Sequence, residues 1–100
     1  MSEIKEKVKS ATVQKVKEPP MYRVLLHNDD YTTMDFVVEI LVSVFGKPLD
    51  QAVMIMLNVH RNGIGECGVY TYEVAETKVE TVHRLAAKRG FPLRSSMEKV

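Results

Sequence analysis

Apolar positions along this chain recur with two periods, and the change from one to the other marks out its elements. "MYRVLLH" (21–27) is rich in β-formers and stops at Asn-Asp-Asp, which predicts a strand running into a turn. Beyond the turn, Phe36, Val37, Ile40, Leu41, Val44 and Phe45 repeat with the spacing of one helical face. Thr32 or Thr33 is the expected N-cap, Asp35 lies near the positive end of the dipole, and Gly46 is the expected stop. A second helix is predicted from about Leu49 to Arg61, with Pro48 near its start and Gly63 past its end. Its apolar face reads as Ala52, Val53, Met56 and Leu57, with His60 one turn beyond Met56. "IGECGVY" (64–70) predicts a second strand, after which Thr71 offers an N-cap. Ala75, Lys78, Val79, Val82, Leu85 and Ala86 then lie along a third helix that Gly90 ends. In 91–98, Leu93, Ser95 and Met97 alternate with Arg94, Ser96 and Glu98, predicting a third strand.

The order β-α-α-β-α-β predicts a small single-domain α/β (α+β) sandwich, in which a three-stranded antiparallel sheet carries three helices on one face. A chain of 100 residues with 45% hydrophobic content supports one modest core and no second. Residues 1–18 carry Lys at 5, 7, 9, 15 and 17 with no aromatics, so a mobile basic tail is expected there. Pro19 and Pro20 mark the boundary of a core domain spanning 19–100.

Charge and cysteine narrow the class. A formal net charge of +1 sets up no strong field toward nucleic acid or an anionic membrane. The single cysteine, Cys67, has no internal disulfide partner, and no apolar run reaches the length of a signal or membrane-spanning segment, so a cytoplasmic setting is expected.

The candidate chemistry starts at Asn28-Asp29-Asp30. A capping turn is the commonest use of such residues. One side chain suffices for a turn, however, and three in succession leave acceptors for a cationic guest such as an ammonium group. His60 is by itself more often a core-edge residue than a ligand. Met34, Met54, Met56 and Met97 read chiefly as gap-filling core, although Met34 follows the acidic turn and Met56 precedes His60 by one turn. Asp29, Asp30 and His60 leave open a small metal-dependent hydrolase, without a His-x-x-x-His pair or cysteine cluster to support it. An RNA-binding α/β module is suggested only by the element order and the basic tail.

"NDDYTTMDFVVEIL", "IMLNVHRNG", "CGVYTYEVAETKV" and "FPLRSSMEKV" together resemble the ClpS family of protease adaptors over residues 19–100. The resemblance implies a monomeric, non-catalytic, cofactor-free bacterial adaptor of the N-end rule. Such an adaptor binds substrates that begin with Leu, Phe, Tyr or Trp and delivers them to a ClpA-type AAA+ unfoldase coupled to the ClpP peptidase. It also implies that Asn28, Asp29 and His60 bind the substrate's α-amino group, Asp29 partly through water. By the same resemblance, Asp30, Thr32, Met34, Val37, Met56 and Leu93 shape the side-chain pocket. Glu73 and Lys78 would touch the unfoldase's N-terminal domain, with the tail engaging the unfoldase during handover. Two departures stand out: Thr33 occupies a position where the family usually has Pro, and Ser95-Ser96 replaces a more usual Cys-Thr pair.

Overall fold

The computed structural model describes residues 18–100. The tail expected over 1–18 therefore lies outside the described residues except for Glu18. The elements follow in the predicted order: β1 (Met21–His27), α1 (Met34–Ser43), α2 (Leu49–Asn62), β2 (Ile64–Thr71), α3 (Tyr72–Arg89) and β3 (Arg94–Lys99). β1 is the central strand of a sheet ordered β2-β1-β3, and it pairs antiparallel with both neighbours.

Alternation along β1 assigns the two faces of the sheet. Val24 and Leu26 point into a core shared with Phe36, Ile40 and Leu41 of α1, Ala52, Met56 and Val59 of α2, and Ala75, Val82 and Ala86 of α3. Arg23 and His27 point the other way. There Arg23 lies 3.6 Å from Glu66 and 3.1 Å from Glu98, and His27 Nε2 lies 2.6 Å from Ser96 Oγ. All these groups are partly solvated, so they make the outer face compatible with water more than they stabilise it. A β-bulge between Val24 and Leu25 leaves Cys67 as the extra residue of β2, completely buried. Burial pushes the Cys67 thiol up to about 12, so it stays protonated and behaves as a small apolar side chain.

Four local details depart from expectation. α1 stops at Ser43, short of Gly46, because Val44 already serves as its C-cap while Lys47 N–H reaches back to Leu41 O at 3.0 Å. Thr71 precedes α3 without a side-chain capping bond. β3 begins at Arg94 and not at Phe91, because Phe91 N–H is spent closing α3 on Ala86 O at 2.9 Å and Pro92 has no donor. Met54, expected to fill the core, is 68% exposed.

Both serines of the departing pair have found partners. Ser95 Oγ donates to Leu25 O at 2.7 Å inside the sheet, its N–H donates to His83 Nε2 at 2.9 Å, and Ser96 faces His27. The bond to His83 covers a donor on the edge strand that would otherwise be free to pair with another chain.

Candidate functional site

The site is assembled by one backbone bond between distant parts of the chain. α2 ends at Gly63 in the left-handed region (φ 85, ψ −17), a conformation that a residue with a Cβ adopts only under strain. Gly63 N–H closes the helix on Val59 O at 2.9 Å, and Gly63 O accepts from Asn28 N–H at 2.9 Å. The segment leaving β1 is thereby clipped to the end of α2, and Asn28, Asp29, Asp30 and His60 come to share one rim.

Asp29 organises that segment. Its Oδ1 accepts from the N–H groups of Tyr31 at 2.9 Å and Thr32 at 2.7 Å, and its Oδ2 accepts from Thr32 Oγ1 at 2.8 Å. Burial pushes the Asp29 carboxyl upward, but the bonds from Thr32 and Tyr31 outweigh it and hold the group below the usual carboxylate range. Asp29 is thus an anion with one oxygen doubly engaged and the other singly. The free acceptor capacity of the rim lies in Oδ2 of Asp29 and in the exposed side chains of Asn28, Asp30 and His60.

With Thr32 committed to Asp29, Thr33 caps α1, its Oγ1 accepting from Phe36 N–H at 3.2 Å. The departure from Pro at this position therefore supplies a side-chain cap that proline lacks. Capping sets the first turn of α1, which carries Met34 and Val37 to the wall of a cavity of about 260 Å³. Its lining is Asn28, Asp29, Asp30, Thr32, Met34, Val37, Met56, Val59 and His60. Met34 is 45% exposed, whereas Val37, Met56 and Val59 are buried, so Met34 stands at the mouth and the others form the depth. An apolar recess edged by acceptors is built to receive a small cation that carries an apolar group.

Of the positions expected to shape this pocket, Leu93 is the one placed elsewhere: it is buried in the core and does not line the cavity. Val59 lines it and was missed. Its signal was present in the spacing of Ala52, Met56 and Val59 at i, i+4 and i+7, the three buried residues of α2. The face first read from Val53 and Leu57 is rotated, since both are only half-buried. Glu73 is exposed in the first turn of α3. Lys78 is half-buried: its Nζ donates to Val44 O at 2.8 Å and lies 5.9 Å and 5.2 Å from the ring centroids of Phe45 and Tyr70. Among the described residues, no three His, Cys, Asp or Glu side chains gather as a metal site would require. Also among them, no helix is long and apolar enough to cross a membrane.

Comparison with known proteins identifies the family and the fold. A family model described as ATP-dependent Clp protease adaptor protein ClpS matches residues 17–96. The ATP-dependent Clp protease adapter protein ClpS of Desulforapulum autotrophicum is 64% identical over 96 residues, covering 96% of this chain and 92% of the relative. That of Nitratidesulfovibrio vulgaris strain DP4 is 67% identical over 85 residues, covering 85% and 82%. Among solved structures, Agrobacterium tumefaciens ClpS2 bound to L-phenylalaninamide superposes with a TM-score of 0.80 at 36% identity, covering 83% of this chain and 100% of that one. By sequence and by fold alike, this chain belongs to the ClpS family of ATP-dependent Clp protease adaptors.

Proposed function

We propose that the cavity captures the first residue of a substrate protein and that the chain hands the substrate to a ClpA-type AAA+ unfoldase. The observation that carries this reading is the junction of an acceptor-lined rim (Asn28, Asp29, Asp30, His60) with an apolar recess (Met34, Val37, Met56, Val59). The ligand of the ClpS2 neighbour has the same two parts, since L-phenylalaninamide pairs a free α-amino group with a benzyl side chain and has no carboxylate.

The chemistry divides the labour. Burying a Leu or Phe side chain contributes about 1.5–3 kcal/mol and does not depend on chain position. Each hydrogen bond to a charged ammonium contributes about 1.5–3 kcal/mol and disappears when the nitrogen belongs to an ordinary amide. Asn28, Asp29 and His60 hold the ammonium, with Asn28 Oδ1 and a ring nitrogen of His60 accepting directly. Asp29 contributes its charge and the remaining capacity of Oδ2, partly through water, because its other acceptor sites are already used in the loop. Asp30, Thr32, Met34, Val37 and Met56 define the space for a Leu, Phe, Tyr or Trp side chain. No bond is made or broken in this scheme, and no cofactor enters it.

On the delivery side, Glu73 and Lys78 meet the N-terminal domain of the unfoldase, and residues 1–18 engage it during handover while 19–100 hold the substrate. The adaptor works as a monomer in the bacterial cytoplasm.

Fluorescence binding with one peptide in three forms tests the reading. The Phe-first form binds, whereas the acetyl-Phe-first form binds at least roughly tenfold more weakly for loss of the charged donor, and the Ala-first form weakly for loss of buried area. Equal affinity for the free and acetylated forms removes the proposed function.

A further inference from the structure

We propose that Gly65 is a specificity-determining position for this site, setting through Val59 how large a side chain the cavity admits. The proposal rests on the cavity being the receptor for a substrate's first side chain, and deepens that reading.

Gly65 does not line the cavity and is not there for its backbone freedom. The glycines with positive φ are Gly46, Gly63 and Gly90, so at Gly65 the backbone conformation is open to any residue. What a larger residue would lack is room. A Cβ at Gly65 would lie 2.5 Å from Val59 Cγ2, closer than such atoms approach, with Ile55 O and Val59 N each at 3.6 Å. Gly65 is buried opposite Leu26 in the β1–β2 ladder, so the missing side chain leaves a notch in the inner face of the sheet into which Val59 fits. Val59 is 2% exposed and forms part of the cavity wall. One valine thus touches β2 with one methyl group and bounds the cavity, and the notch sets how far it stands back.

The response to filling the notch follows from the stiffness of valine. A β-branched side chain in a helix keeps one strongly preferred rotamer, so Val59 cannot swing clear at little cost. Packed interiors transmit such a displacement. The side open to it is the cavity, which narrows most for the largest occupants. Trp is penalised before Phe, and Phe before Leu.

The test compares peptides that begin with Leu, Phe and Trp on wild-type protein, Gly65→Ala, Val59→Ala and the double variant, with folding followed by thermal melts. In Gly65→Ala the Trp:Leu affinity ratio falls roughly tenfold, as expected for one misfitting methyl group in an apolar pocket. In Val59→Ala the ratio rises. In the double variant it stays at the raised value of Val59→Ala, because the alanine at 59 has no γ-methyl to be displaced, whereas independent effects would cancel toward wild type; this non-additivity is the signature of direct coupling. A general loss of packing lowers all affinities together and leaves the ratio alone. An unchanged ratio in folded Gly65→Ala overturns the proposal. Should that variant fail to fold, an unchanged ratio in Val59→Ala overturns it. Discrimination against acetyl-Phe on the wild-type protein is a separate readout, so failure of amine recognition is distinguishable from failure of the size control.

Discussion

Lys78 Nζ donates to Val44 O at 2.8 Å, joining the third helix to the C-terminal end of the first. The ammonium neutralises the negative end of the α1 dipole where no basic residue of α1 itself does so, and it lies near the faces of Phe45 and Tyr70. The Tyr70 ring in turn fills the space beside Gly68, where a Cβ would clash with its hydroxyl. Lys78 is therefore a structural residue of this domain whatever it also touches. Lys78→Ala is expected to destabilise the domain by about 1–3 kcal/mol in urea unfolding. Loss of unfoldase binding in Lys78→Glu consequently identifies a contact only if native-state folding is shown to persist, and Glu73→Lys is the cleaner probe of that face.

Asp29 carries a pH dependence with a definite sign. Burial raises its pKa, the bonds from Thr32 and Tyr31 lower it further than burial raises it, and the folded value lies below the unfolded one. The stabilisation is complete above the unfolded carboxylate range and is lost as pH falls through the folded value. Asp29→Ala is expected to lower stability at neutral pH by about 1–2 kcal/mol, discounted for partial solvation, and to flatten the acid limb of a melting-temperature profile. An acid limb unchanged from wild type contradicts the role of Asp29 as organiser of the loop.

The cap at Thr33 is separable from the site it serves. Thr33→Ala removes the acceptor for Phe36 N–H and is expected to lower stability by about 1 kcal/mol. Thr33→Pro suits the observed φ of −72 and restricts the unfolded chain, so its loss is expected to be smaller. No loss in Thr33→Ala would show that the hydroxyl bond contributes little, and equal losses in the two variants would show that the fixed φ of proline adds nothing.

Met34 stands at the cavity mouth, and under the proposed function a β-branched first residue would bring its extra methyl group to it. Met34→Ala is expected to improve Ile-first and Val-first peptides relative to Leu-first by roughly tenfold in fluorescence binding. No change in that ratio removes Met34 as the gate.

On the outer face of the sheet, burial first and repulsion by Arg94 second hold His27 below the usual histidine range. Its neutral ring is favoured in the folded state, so its contribution is complete above the unfolded histidine value and fades as pH falls through the depressed folded value. In NMR titrations, Arg94→Ala is expected to move the His27 midpoint partway back up, leaving the part due to burial. A midpoint that does not move assigns the whole depression to burial.

Periodicity along the chain determined the elements and their order, because apolar spacing of 3.6 and 2.0 is a local property of helices and strands. Asn28-Asp29-Asp30 announced surplus acceptors, and Gly63 and Gly90 announced helix ends, for equally local reasons. Tertiary structure alone decided what those residues meet. The bond from Asn28 to Gly63 joins segments with two helices between them, and no periodicity encodes it. The register of α2 on the sheet chose Val59 for the cavity wall and left Leu93 in the core. The partner of Lys78 is a carbonyl exposed only because α1 stops at Ser43. The notch at Gly65 is a fact about the distance between two elements, and packing at a few tenths of an ångström is set by the whole fold and not by any stretch of chain.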